Sequence, residues 1–151
     1  MSAHDEASRL AELRAWLAAK GIESDDDGDR VMFAFTGENG TYPGVLLARE
    51  SQDEVVMYSV APLAFPAELR TAAALFLTRV NYGLAQGNFE LDLDDGEVRY
   101  KTIAALHGAD IDDTVMGPLV LVNLSTMDRY VPALFELLTG ADPHETARAA
   151  G

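Results

Sequence analysis

The chain has no cysteine, three histidines, and eleven lysines and arginines against twenty-five aspartates and glutamates. Without cysteine there are no disulfides, no thiolate nucleophiles and no cysteine-ligated zinc or iron–sulfur centres. The scarcity of basic residues leaves a net charge of −14. Such a surface repels phosphate backbones and lacks the basic footprint of a nucleic-acid binder, so direct nucleic-acid binding is not expected. No apolar run approaches the roughly 18 residues that a membrane helix needs. The opening "MSAHDEASRL" is polar and acidic where a secretory or organellar signal would be basic and apolar. The expectation is a cytoplasmic protein with no membrane association.

Catalytic motifs are absent as well. There is no G-x-x-x-x-G-K-[ST], no strand-to-helix G-x-G-x-x-G, no G-x-S-x-G elbow and no H-E-x-x-H pair. His4 and His144 lie near the ends, and His107 falls in the loop "LHGAD". The acidic clusters also fail as calcium loops. Counting from Asp92, position six is Glu97 and position twelve is Ile103; counting from Glu23, position twelve is Ala34. An EF-hand needs glycine at position six and glutamate at position twelve. No catalytic residue, metal ligand or cofactor site is expected, and the chain does not read as an enzyme.

The 151 residues suffice for one domain spanning 1–151, with an ordered core expected over about residues 6–140. "HDEASRLAELRAWLAAKGI" places Leu10, Leu13 and Leu17 on one helical face, with Asp5 and Glu6 at its start and Trp16 at its boundary. Gly21 is positioned to close that helix in the left-handed conformation, bringing Ile22 against Leu17. "ESDDDGDR" reads as a turn. Strands are expected at Val31–Thr36, Tyr42–Arg49 and Glu54–Val60, with Asn39-Gly40 as a turn signal and Pro43 at a strand start or edge. A second helix should run from Pro66 to about Tyr82, apolar enough to be covered on more than one side. The periodicity from Asp112 to Gly140 is helical, but Gly117-Pro118 and Pro132 predict two helices or one sharp kink. "ADPHETARAAG" reads as a short turn and a frayed end.

Between the second and third helical stretches, "NFELDLDDGEVRYKT" alternates strictly. A two-residue turn at Asp95-Gly96 would set Leu93, Leu91 and Phe89 opposite Val98, Tyr100 and Thr102. Asp92 would then face Arg99 and Glu90 would face Lys101, each pair contributing about 0.2–1 kcal/mol. The element order is α-β-β-β-α-β-β-α, an α+β chain built on an antiparallel sheet.

Within that order, "VNYGLAQGNFELDLDDGEVRYKT" resembles the YbjN family of bacterial proteins, and "MDRYVPALFELLTGADPHETA" is similar to the family's closing helix. The resemblance covers about Leu10 to Ala147 and is carried mainly by the hairpin. It implies a fold like that of the type III secretion chaperones: small acidic proteins that pair as homodimers and hold partner segments on their surface. It carries over no catalytic residue. Asn81, Gly87, Asn88, Asp95, Gly96 and Tyr130 occupy motif positions, and they read as structural caps and packing residues.

The first three strands are apolar on both faces, which normally means cover on both faces. Three helices cover one. The remainder is expected to form a dimer contact or a partner groove, with Met32, Ala34 and Met57 from the strands and Phe76, Leu77 and Val80 from the middle helix as candidates. The expected function is a non-enzymatic, homodimeric protein-binding module, chaperone-like or adaptor. Its partner would carry a basic surface or an exposed apolar segment, as a nucleic-acid-binding protein does. The acidity alternatively serves solubility alone. A second functional class, a sensory regulatory domain binding a small ligand, needs an enclosed pocket that the sequence neither shows nor excludes.

Overall fold

A computed structural model describes residues 3–151, the side chains of 3–8 excepted, so Asp5 and Glu6 lie outside the described side chains. Helix α1 (Ala3–Ala19) leads into strands β1 (Asp25–Asp27), β2 (Arg30–Thr36), β3 (Thr41–Arg49) and β4 (Glu54–Ala64). Then come α2 (Arg70–Gly83), the hairpin β5 (Asn88–Leu91) and β6 (Glu97–Ala105), α3 (Asp113–Gly117), α4 (Asn123–Leu138) and α5 (Pro143–Ala150). The six strands form one antiparallel sheet in the order β1-β2-β3-β4-β6-β5. The acidic run at Asp25–Asp27, expected as a turn, is a short strand, because its pairing with β2 supplies the order that its composition does not.

All the helices described lie on one face of the sheet. Val31, Phe33, Leu46, Val55 and Met57 point to α1 and the start of the long C-terminal helix. Phe89, Val98 and Tyr100 point to α2 and α4. Leu13 and Leu17 are fully buried against this face. The end of α1 closes through a Schellman pair: the Gly21 N–H donates to the Ala18 carbonyl (3.0 Å) and the Ile22 N–H to the Leu17 carbonyl (3.0 Å). Gly21 sits at φ 74°, where a side chain would be strained.

The hairpin keeps its expected face but not its expected register. Phe89 pairs with Tyr100, Glu90 with Arg99 and Leu91 with Val98, two residues from the predicted pairing. The two-residue turn is replaced by a longer loop. Asp92 and Glu97 bracket it, with the Asp92 N–H donating to the Glu97 carbonyl (2.9 Å). The Asp92 and Asp95 carboxylates accept from the N–H groups two residues on. Tertiary contacts fix the loop: the Phe65 N–H donates to the Gly96 carbonyl (2.9 Å), and Arg70 donates to the carbonyls of Phe65, Leu93 and Asp94. A shift of two preserves the face, whereas a shift of one would have inverted it.

The C-terminal helical stretch, where two helices or one sharp kink were expected, runs from α3 to α4 without a gap. Gly117 (φ −55°) and Pro118 (φ −59°) keep helical backbone, and Pro118–Val122 form a widened π turn between α3 and α4. The buried Thr102 hydroxyl donates to a carbonyl within that turn, at Leu119 (2.8 Å). Immediately after the widened turn, the buried Asn123 amide donates to the Met57 and Tyr100 carbonyls (3.0 and 3.1 Å). The helix is thus pinned to β4 and β6. Pro132 lies inside α4. The predicted frayed end is helix α5, started by Asp142, whose carboxylate accepts from the His144 and Glu145 N–H groups. Pro143 occupies its first turn, and its buried Thr146 packs it toward α2 and α4.

Candidate protein-binding surface

With every described helix on one face, the other face of the sheet is left open. Strand alternation sends Met32, Ala34, Val45, Leu47, Val56, Tyr58, Val60 and Ile103 to it. The register sets them in rows: Leu47, Val56 and Ile103 side by side, and Met32, Val45 and Tyr58 beside them. Ile103 is 49% exposed and Met32 37% exposed. Charged groups frame these rows, four cations on three carboxylates: Arg30 with Asp27 (2.7 Å), Arg49 with Glu54 (3.2 Å), and Arg99 and Lys101 sharing Glu90 (2.7 and 2.9 Å). Burial alone would raise the Glu90 carboxyl, but hydrogen bonds from Lys101 and Arg99 outweigh it and hold it below the usual carboxylate range. The Arg99 guanidinium also stacks over the Tyr58 ring at 4.0 Å. In a chain of net charge −14, this frame carries no excess of carboxylates and the face is apolar at its centre.

Of the six contact residues expected from the sequence, only Met32 and Ala34 reach the open face. The other four are corrected. Met57 is fully buried on the helix side, because β4 turns Val55, Met57 and Ser59 inward and Val56, Tyr58 and Val60 outward. Phe76, Leu77 and Val80 are buried among α2, α4, the hairpin and the partly buried alanines of α5. Sequence reasoning missed Leu47, Tyr58 and Ile103; their alternation with the inward residues was the available signal.

The motif residues gather at the hairpin. The Asn81 side chain, near the end of α2, clasps the outermost strand: its amide donates to the Phe89 carbonyl (3.0 Å) and its oxygen accepts the Phe89 N–H (2.8 Å). It thereby supplies the pairing that an edge strand otherwise lacks. Asn88 makes a longer contact to the same carbonyl (3.3 Å). Gly87, at φ 67°, lies where a Cβ would fall 2.5 Å from the Lys101 carbonyl oxygen, and the Tyr100 hydroxyl donates to the Gln86 carbonyl beside it. The buried Tyr130 ring meets Phe89 edge-on at 5.5 Å. Asp95 and Gly96 shape the loop described above.

His107 is exposed, in a left-handed turn. Among the described residues, no group of three or more His, Asp or Glu side chains is placed to hold a metal ion. Among the described residues, no helix is long and apolar enough to cross a membrane.

The family model for YbjN, described as a putative bacterial sensory transduction regulator, matches residues 9–136. The chain belongs to the YbjN family. It is similar in fold to the crystal structure of YbjN from E. coli, a putative transcription regulator, at 15% identity and a TM-score of 0.61. That match covers 81% of this chain and 87% of the other. It is also similar to a chain of the HopA1–SchA chaperone–effector complex, at 11% identity and a TM-score of 0.59, over 87% of this chain and 99% of that one. No curated protein sequence is significantly similar. This YbjN family member therefore has an α+β, type III secretion chaperone-like fold.

Proposed function

We propose that this YbjN family chain is a non-enzymatic protein-binding module, a chaperone-like or adaptor homodimer, in which the open sheet face joins two copies. The observation that carries the dimer is that face, an apolar centre framed by ion pairs that close on themselves. Two acidic chains approach with least repulsion where neither presents an excess of carboxylates, and an isologous contact is the common way to cover such a face. The protein-binding role is supported by the fold shared with a chain of a chaperone–effector complex. A small-ligand sensor would need an enclosed pocket. The larger cavities here, including one of about 1280 Å³ beside Ile22, Phe33 and Ala34, are open grooves suited to a chain rather than an enclosed molecule.

Light scattering at micromolar concentration tests the dimer. The wild type is expected at twice the 16.3 kDa of one chain. Ile103→Glu places a carboxylate at the end of the apolar Leu47–Val56–Ile103 row and should give a monomer. Since Ile103 is about half exposed, thermal stability should change little. A monomeric wild type removes the dimer from the proposal.

A further inference from the structure

The sheet edge beside α1 is only half covered. β1 pairs with β2 from Arg30 to Met32 and then ends. From Phe33 to Thr36, β2 has β3 on one side and, among the described residues, no strand on the other. Alternate N–H and C=O groups along such a stretch point away from the sheet and offer a ready ladder. Sheet edges are ordinarily blunted by a charge, a proline, a bulge or a covering element. The sequence here is Phe-Ala-Phe-Thr, which has none of the first two. Its pairing to β3 is regular, so there is no bulge.

What borders this edge is an apolar groove of about 540 Å³. Trp16 of α1 and Ile22 just after it form one wall, and Val120 and Leu121 of the widened helical turn with Leu124 of α4 form the other. Leu121 is 65% exposed although it sits in the middle of a long helix. At the β1 end, Glu23 and Asp25 line the adjoining groove. Their neighbours Asp26 and Asp27 are paired with Arg14 and Arg30, whereas Glu23 and Asp25 have no cationic partner among the described residues.

These features choose between occupants. A second copy paired edge to edge would bring two sets of Glu23 and Asp25 together. It would also rest on only a four-residue ladder, far short of the roughly 1,000 Å² that a stable interface buries. A short extended segment avoids the charge clash and adds the groove beside the edge to the same ladder. Its backbone completes the ladder, its alternate side chains enter the groove, and basic residues at its end answer the free carboxylates.

We infer that the free edge of β2 between Phe33 and Thr36, with the apolar groove beside it, accepts an extended segment of a partner protein as an added strand, apolar at alternate positions and flanked by lysine or arginine. This rests on the protein-binding reading above and adds to it the site and the chemistry of what is bound.

The test pans a random 12-residue peptide library against the full chain and measures synthesised winners against variants. Expected winners alternate apolar residues and carry Lys or Arg at one end. Their affinity should fall at least tenfold in Leu121→Glu and stay unchanged in Ile103→Glu, both of which alter exposed side chains. Bound peptide should slow amide exchange at Phe33–Thr36. Winners that lose affinity with Ile103→Glu but not Leu121→Glu would move binding to the open face, overturning the edge site while leaving the protein-binding reading intact. Unchanged exchange at Phe33–Thr36, or acidic winners, would also overturn the site. Leu121→Glu lowering the mass in light scattering would show that a second copy fills the groove instead. A library with no enrichment counts against both readings.

Discussion

Asp128 shows how one side chain fixes a loop far from it in sequence. From α4 its carboxylate accepts the Glu38 and Asn39 N–H groups (3.0 and 2.9 Å) and the Tyr42 hydroxyl (2.6 Å). Gly37 leaves room for it, since a Cβ there would lie 2.5 Å from the carboxylate. Burial works to raise the Asp128 carboxyl, but these three donors outweigh it and hold it below its ordinary value. On the other side of the contact, burial and the neighbouring carboxylate push the Tyr42 hydroxyl well above its ordinary range, so it remains a donor. A carboxyl whose folded value is depressed contributes stability that is fully present above its unfolded value near pH 4. That stability is lost as pH falls through the folded value. Asp128→Asn is therefore expected to cost about 1–2 kcal/mol in urea unfolding at pH 7, with the gap to wild type narrowing below pH 4. A gap constant from pH 7 to pH 3 would assign the effect to shape rather than charge. Asn39-Gly40 was legible as a turn; Asp128, 89 residues from Asn39, was not, because a long-range acceptor leaves no local trace.

At the scale of elements, face was easier to read than register. Alternation in the hairpin put Phe89, Leu91, Leu93, Val98, Tyr100 and Thr102 on one side; the structure buries that side except for Leu91, which is partly buried, and Leu93, which the longer loop leaves exposed. The loop length went astray because Asp95-Gly96 also suits a longer loop, and contacts to Phe65 and Arg70 decide between the two. Gly96 is the test of that account. It sits at φ 82°, and a Cβ would fall 1.9 Å from the Phe65 carbonyl oxygen. Gly96→Ala must move backbone rather than a flexible side chain, and a loss of about 2–4 kcal/mol is expected in chemical denaturation. A loss under about 1 kcal/mol would mean that the loop is not held by Phe65. Two other readings were overridden by tertiary contacts. Gly117-Pro118 was read as a break or a sharp kink because both residues disfavour a helix interior, and "ADPHETARAAG" as a turn and frayed end because a short terminal segment has little local stability of its own. Tertiary bonds from Thr102 and Asn123 hold the first, and Asp142 with the packing of Thr146 holds the second. α5 then helps to close over Phe76, Leu77 and Val80, which is why those residues are core and not contact surface.

The whole molecule sets charge against apolar surface. Two-sided apolar strands correctly pointed to a face that helices would not cover, but composition could not say which parity of residues lay on it. That parity depends on where the helices dock, which only the assembled fold decides. Two predictions about salt now pull in opposite directions. Self-association through the open face brings together chains of −14 each over a patch whose own charges are paired, so the long-range term is repulsive. Raising salt shortens the Debye length from about 30 Å at 0.01 M to about 8 Å at 0.15 M and should tighten the dimer. A basic-flanked segment on the β2 edge feels the opposite field, attracted by Glu23 and Asp25, so its affinity should fall over the same range through a slower on-rate. Sedimentation and stopped-flow titrations across that range separate the two. If dimerisation weakens with salt, ion pairs such as Arg99–Glu90 must exchange partners across the interface rather than stay within one chain. If both processes are indifferent to salt, the acidity acts only in solubility, and the apolar face and groove carry recognition alone.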